Sequence, residues 1–234
     1  MPPFTIEYFF NEKLSICQPK EGYRFSVDPF ALCGEVHPRP GDKIMDIGCG
    51  CGIIPLILCL KTPALCITAV EIQKELADIA GENIIKNHRQ NQITVHHKDI
   101  TQMTPSDIPG PQDIIISNPP YIKKNHGRIN PHPQKATARH ELTLTLDTLI
   151  KIASKWLKPH GTFHTIYPVS RLPELLGALS REKMTLETLR FIHPQKKEKA
   201  KLFMVKAGKH QNNAITIPPP LYLDTPGEQA GSAL

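Results

Sequence analysis

Between residues 41 and 120 the chain alternates short apolar runs with helix-length segments, and no other feature constrains its fold as much. Residues 43–47, 65–70, 93–97 and 113–117 are runs of five or six residues dominated by aliphatic side chains. Runs this short, apolar on both faces, read as buried strands of a parallel sheet. Residues 53–60 and 73–87 lie between them with helical character. Strand and helix in alternation imply a parallel sheet with crossover helices on its faces, an α/β fold. Outside this block the patterns predict a hairpin over residues 4–18 and a helix over 26–34, with Ser26 or Asp28 as its cap and Pro29 early in the first turn. They further predict a helix over 142–157, a strand over 162–167, a helix over 172–181 and a closing antiparallel pair over 186–192 and 202–205.

The tips of the predicted strands carry the chemistry. In open α/β sheets, ligands bind outside the carboxyl ends of the strands. The first strand runs into Asp46-Ile47-Gly48-Cys49-Gly50-Cys51-Gly52. Glycines between a strand and a helix let backbone approach a ligand closely and aim helix N–H groups at it. An acid ahead of the first glycine repels a pyrophosphate but suits an ammonium group. The second strand ends at Glu71-Ile72, placed to accept ribose hydroxyls, and the third at Asp99-Ile100, placed to meet an adenine amino group. The fourth ends in Asn118-Pro119-Pro120-Tyr121. Two prolines fix φ and remove two donors, which leaves carbonyls as acceptors. The Asn118 carbonyl and a proline-fixed carbonyl can grip both hydrogens of an NH2 group, and Tyr121 can stack on the ring that bears it. Asn-Pro and Pro-Pro are also common loop dipeptides, so alone this stretch reads equally as a strand-ending turn. Its position after three further functional strand tips favours the site.

These residues resemble a known family. The stretch from Asp46 to Gly52 resembles the first motif of class I S-adenosylmethionine-dependent methyltransferases, and Asn118-Pro119-Pro120-Tyr121 resembles the fourth motif of those that methylate amino groups on planar systems. Three outer stretches narrow the likeness to the bacterial tRNA adenine-N6 methyltransferases that modify the adenosine just 3′ of the anticodon in a valine tRNA. They are Gln18-Pro19-Lys20 through Asp28, Gly127-Arg128-Ile129-Asn130-Pro131 with Ala138-Arg139-His140-Glu141, and His193-Pro194-Gln195-Lys196-Lys197. The resemblance implies a Rossmann-like fold: a mostly parallel seven-stranded sheet, helices on both faces and an antiparallel C-terminal strand. It implies a lead-in segment over residues 1–40 packed on the core, a methyltransferase domain over 41–223 and a flexible tail over 224–234. It implies methyl transfer to the N6 amino group of a tRNA adenosine, at position 37 in a valine tRNA. Asp46, Gly48, Cys49, Gly50, Gly52, Glu71, Ile72, Asp99, Ile100 and Asn118 would then bind the cofactor. Asn118, Pro119, Pro120 and Tyr121 would act in catalysis. Glutamine methylation of a protein such as a release factor is the alternative, because an amide is also a planar NH2. That family carries a separate helical N-terminal domain, for which the ~40 residues ahead of this core leave no room. A third reading is a non-catalytic RNA-binding module, against which the intact Asn118 loop and glycine turn argue.

Charge supports a polyanionic partner, and tRNA is the one expected. The net charge is +6. Residues 122–140 hold Lys123, Lys124, Arg128, Lys135 and Arg139 and no acid, directly after the proposed catalytic loop, and read as a mobile loop, a lid or substrate arm. Lys196, Lys197, Lys199 and Lys201 form a second cluster. Lys123, Lys124, Arg128, Arg139, Lys196 and Lys197 are the candidate RNA contacts, with Tyr121. Either cluster alone also reads as a solvated surface. The six cysteines show no C-x-x-C pair and read as reduced, buried or small-residue choices in a cytoplasmic protein. The adjacent His96 and His97 point to opposite faces of a strand, and the loop histidines lack acids or thiolates nearby, so no metal is expected. No apolar run spans a membrane.

Overall fold

The computed structural model describes residues 4–20, 27–119, 144–209 and 214–223. Its strands, in chain order, are β1 (Phe4–Phe9), β2 (Leu14–Pro19), β3 (Lys43–Ile47), β4 (Cys66–Glu71), β5 (Ile93–His97), β6 (Gln112–Ser117), β7 (Leu157–Pro168), β8 (Thr185–His193), β9 (Leu202–Gly208) and β10 (Leu221–Tyr222). Its helices are α1 (Asp28–Gly34), α2 (Ile53–Lys61), α3 (Lys74–Lys86), α4 (Leu146–Trp156) and α5 (Leu172–Arg181). β1 and β2 form an antiparallel hairpin, as the pattern predicts. The other eight strands make one sheet in the order β10-β8-β9-β7-β6-β3-β4-β5.

Topology decides where a ligand can sit. β3, β4, β5, β6 and β7 are parallel. β9 runs antiparallel to both β7 and β8, so β8 again points the same way as β3. From β3 the chain steps outward to β4 and β5, then returns to β6 on the other side. Strand order therefore reverses between β3 and β6, and a crevice opens at their carboxyl ends. The glycine turn and Asn118 flank that crevice. The seven strands the resemblance implies are all present. The eighth, β10, is two residues laid parallel on β8 just after Pro218-Pro219-Pro220. Proline is tolerated on such an edge because no ladder donor is needed there.

Two apolar layers hold the helices. On one face α1, α2, α3 and β2 contribute Leu32, Leu56, Ile57, Ile79 and Ile16 to one buried cluster. On the other, α4 and α5 contribute Leu149, Ile150, Trp156, Leu175 and Leu179. α2 is buried from Ile53 through Cys59, which suits a helix apolar all round. Each buried Leu or Ile contributes roughly 1.5–3 kcal/mol, so Leu149→Ala, at 0% exposure, should cost about 2–5 kcal/mol.

Local differences have identifiable causes. The N-cap of α1 is Val27, with no side-chain cap hydrogen bond, and Ser26 lies outside the described residues. α4 starts at Leu146 because the Thr145 hydroxyl accepts the Thr148 N–H. β7 starts at Leu157, five residues earlier than the pattern predicts, with an irregular register against Gln112. There Gly161 lies so close to β6 that a Cβ would meet the Gln112 carbonyl oxygen at 2.8 Å. Cys66, expected among buried positions, is exposed at the start of β4, while Cys33, Cys49, Cys51 and Cys59 are buried. Among the described residues no helix is long and apolar enough to cross a membrane.

Candidate cofactor and catalytic site

The turn after β3 is built to leave backbone open. Gly48, Gly50 and Gly52 have φ of 77°, 57° and 84°, which a side chain adopts only at about 1–2 kcal/mol each. The Gly48 and Cys49 N–H groups donate to the Val70 carbonyl at 2.8 and 3.1 Å, and Gly52 N–H to the Cys49 carbonyl at 2.9 Å. A Cβ on Gly52 would press on Ala80 of α3 at 3.4 Å, whereas a Cβ on Gly48 would meet nothing within 4 Å. One glycine thus packs turn against helix and another faces open space. Gly52 is also the N-cap of α2, so the first N–H groups of that helix point out of the turn. Burial raises the thiols of Cys49 and Cys51, the latter to about 12, which keeps both un-ionised.

Two acids lie beneath the turn. Asp46 is fully buried, and neither carboxylate oxygen has a hydrogen-bond partner among the described residues. Burial, and then the neighbouring Glu71, hold its carboxyl well above the usual carboxylate range. Glu71 ends β4 and is also buried. Its two oxygens accept Gly50 N–H and Gln73 N–H, each at 2.9 Å. Burial raises its carboxyl as well, against the lowering effect of those N–H groups and of His97. A carboxylate offers about four acceptor sites, so Glu71 keeps acceptor capacity beyond these two. A buried carboxylate is costly without a partner, so the site suits a ligand bearing cationic groups. S-adenosylmethionine, with its ammonium and sulfonium, fits that donor set, and a pyrophosphate does not.

The remaining strand tips complete the edge. Ile72 after β4 is 36% exposed, whereas Ile100 after β5 is buried. One Asp99 oxygen accepts the Thr101 N–H and hydroxyl at 2.9 and 2.8 Å, capping the 3₁₀ turn Ile100–Gln102. After β6, Asn118 is half-buried and Pro119 buried. The structure thus brings Asp46, Gly48, Cys49, Gly50, Gly52, Glu71, Ile72, Asp99, Ile100, Asn118 and Pro119 onto one edge of the sheet. Lys196 and Lys197 are exposed in the turn after β8, on the same edge. Three strand spacings separate β8 from β6, roughly 14 Å. Pro120, Tyr121, Lys123, Lys124, Arg128 and Arg139 lie outside the described residues, as does the predicted arm over 122–140. Among the described residues no group of three or more His, Cys, Asp or Glu is placed to hold a metal.

Three residues that support this edge escape a reading of strand tips. The Ser117 hydroxyl donates to the Ile47 carbonyl at 2.7 Å, and the Thr165 hydroxyl to the Ser117 carbonyl at 2.8 Å. These fully buried bonds tie β3, β6 and β7 together immediately before Asn118. Asn83 on α3 bonds the glycine turn. Its signal in the sequence is a polar residue on the apolar stripe of Leu76, Ile79, Ala80 and Ile84.

The chain is similar to known methyltransferases in sequence and in fold. Residues 31–173, well over half of the chain, match the family model of the methyltransferase small domain. A tRNA1(Val) (adenine(37)-N6)-methyltransferase from Porphyromonas gingivalis is 36% identical over 176 residues, 72% of this chain and 68% of the relative. The chain belongs to this methyltransferase family. A relative of the same name from Dyadobacter fermentans is 26% identical over 92% of this chain and 88% of its own length. The crystal structure of a predicted O-methyltransferase from Agrobacterium tumefaciens matches this methyltransferase with a TM-score of 0.68 at 19% identity. It covers 88% of this chain and 96% of that one, a likeness of fold.

Proposed function

We propose that this methyltransferase transfers a methyl group from S-adenosylmethionine to the N6 amino group of adenosine 37 in a valine tRNA. The observation that carries the reading is the adjacency of two strand tips. β3 ends just past Asp46, whose carboxylate has no hydrogen-bond partner among the described residues, and β6, its neighbour, runs from Ser117 into Asn118-Pro119. A cation-binding pocket and a pair of amide-type acceptors thus flank one crevice. The relatives' tRNA substrate supports the choice of nucleic acid.

When bound, the cofactor supplies an activated methyl on a sulfonium. The chain supplies position. Adenine N6 is a poor nucleophile because its lone pair is delocalised into the ring. The Asn118 side-chain carbonyl and the Pro119 backbone carbonyl accept its two hydrogens, which favours a tetrahedral nitrogen with its lone pair aimed across the crevice. No strong base is needed, since the proton leaves after charge has developed on nitrogen. Ser117 and Thr165 keep the acceptor pair fixed. Tyr121, by its resemblance, offers an aromatic face to the base, a contact worth ~1–3 kcal/mol in other stacked bases. Glu71 takes the cofactor ribose, Asp99 and Ile100 its adenine, Ile72 packs beside them, and Asp46 with Gly48, Cys49, Gly50 and Gly52 takes the amino-acid end. Lys196 and Lys197 contact phosphates, together with Lys123, Lys124, Arg128 and Arg139. The target base leaves its stack more cheaply in a tRNA loop than in a duplex. A cytoplasmic location goes with this substrate.

The test is to incubate the protein with cell extract and methyl-labelled cofactor, then digest the RNA to nucleosides. Labelled N6-methyladenosine from the tRNA fraction is the expected product. A labelled protein band with no labelled nucleoside would replace this reading with glutamine methylation.

A further inference from the structure

The Asn83 side chain is 0% exposed and its amide is fully engaged. Its Oδ1 accepts Cys17 N–H at 2.8 Å, and its Nδ2 donates to the carbonyls of Cys17 at 2.8 Å and Cys51 at 2.9 Å. Asn87, one helical turn later, makes the matching pair with Ser15, at 3.0 and 2.7 Å. Its Nδ2 also donates to the Asn83 carbonyl at 2.7 Å. The two amides lie along the second edge of β2 as a short strand would. They differ in one respect: of the two, Asn83 alone is bonded to the glycine turn. Cys51 immediately precedes the N-cap of α2, so its carbonyl lies ahead of that helix's own hydrogen-bond ladder. The Asn83 amide satisfies it in a place closed to water.

We propose that Asn83 is a positioning residue for the cofactor. It holds the Cys51 carbonyl, and with it the geometry of the glycine turn, and joins that turn to the N-terminal hairpin through Cys17. Cofactor binding and hairpin order then form one cooperative unit. This inference rests on the glycine turn holding S-adenosylmethionine, as proposed above.

Asn87 provides the control, because Asn87→Ala removes an equivalent hairpin contact and leaves the turn alone. Calorimetry with S-adenosylhomocysteine should show Asn83→Ala raising Kd by at least about tenfold, because a glycine turn no longer held by the amide is binding-competent in only a fraction of the molecules. Asn87→Ala should change Kd by less than about twofold even though both lower Tm. Asn83→Asp, which keeps the acceptor for Cys17 N–H and lacks both donors, should bind like Asn83→Ala. Equal effects from Asn83→Ala and Asn87→Ala would overturn the assignment. Hydrogen exchange on the unaltered chain gives the answer without a variant that has to fold: saturating S-adenosylhomocysteine should slow the Cys17 amide by at least about tenfold. Unchanged exchange in a chain that binds the ligand would overturn it too. Absence of any binding to the unaltered chain would instead refute the cofactor reading itself.

Discussion

Two sets of charge lie on the same edge of the sheet and are built in opposite ways. Under the glycine turn, Asp46 and Glu71 are buried, and Asp46 has no hydrogen-bond partner among the described residues. In the turn after β8, Lys196, Lys197, Lys199 and Lys201 stand exposed, and Lys201 pairs with Glu198 at 3.2 Å. A buried charge interacts strongly over a short distance and costs stability until its ligand arrives. An exposed charge costs little, acts over a Debye length and is screened by salt. The first arrangement suits one small cation held in one pose. The second suits a polyanion met at several phosphates. A methyltransferase acting on RNA needs both, and Asn118 lies between them.

The comparison can be tested by removing its parts, the most damaging first. Asn118→Ala should cut turnover by roughly 100-fold while S-adenosylhomocysteine affinity stays within about twofold, because its carbonyl acts on the nucleophile. Glu71→Ala should do the reverse, weakening cofactor affinity by about 1.5–3 kcal/mol for each charged hydrogen bond removed. Calorimetry that finds unchanged affinity would remove Glu71 from the ribose. Asp46→Asn separates function from stability. The Asp46 carboxyl is raised in the fold, so its stabilising contribution is present at low pH and is lost as pH rises through its folded value. At neutral pH an amide should therefore raise Tm of the free protein while weakening cofactor binding. A fall in both would mean that the carboxylate has a structural partner.

The exposed set predicts the opposite profile. Lys196→Ala with Lys197→Ala should leave Tm and cofactor affinity unchanged. It should lower the slope of log tRNA affinity against log salt by about one unit for each phosphate that is no longer neutralised. An unchanged slope would make the cluster a solvated surface. The smallest effect near neutrality belongs to His164, buried on β7. Burial first, then Lys206 and His37, lower its pKa to about 3. A histidine lowered in the fold gives stability that is full above about 6.5 and is lost as pH falls toward 3, by at most ~1.4 kcal/mol per pH unit. Denaturant midpoints of His164→Gln should show a flatter acid limb over that range.

The strands around the site were legible because a parallel strand buried on both faces must be apolar throughout. The glycine turn, Glu71, Asp99 and Asn118 stood out as polar interruptions at the ends of such runs. Legibility failed where tertiary contact overrules local pattern. Lys158-Pro159-His160-Gly161 reads as a helix stop, yet β7 has already begun at Leu157, because Gly161 lets that backbone press against β6. β10 is two residues after three prolines and has no pattern of its own. Asn83, Ser117 and Thr165 support the site from positions defined only by folding, one on an apolar helix stripe and two inside β6 and β7.

The most direct test of the whole account is methylation of an unmodified valine tRNA transcript beside a copy in which adenosine 37 is replaced by guanosine. The account predicts N6-methyladenosine in the first transcript and none in the second. Equal labelling of both transcripts, or of neither under conditions where the cofactor binds, would contradict it.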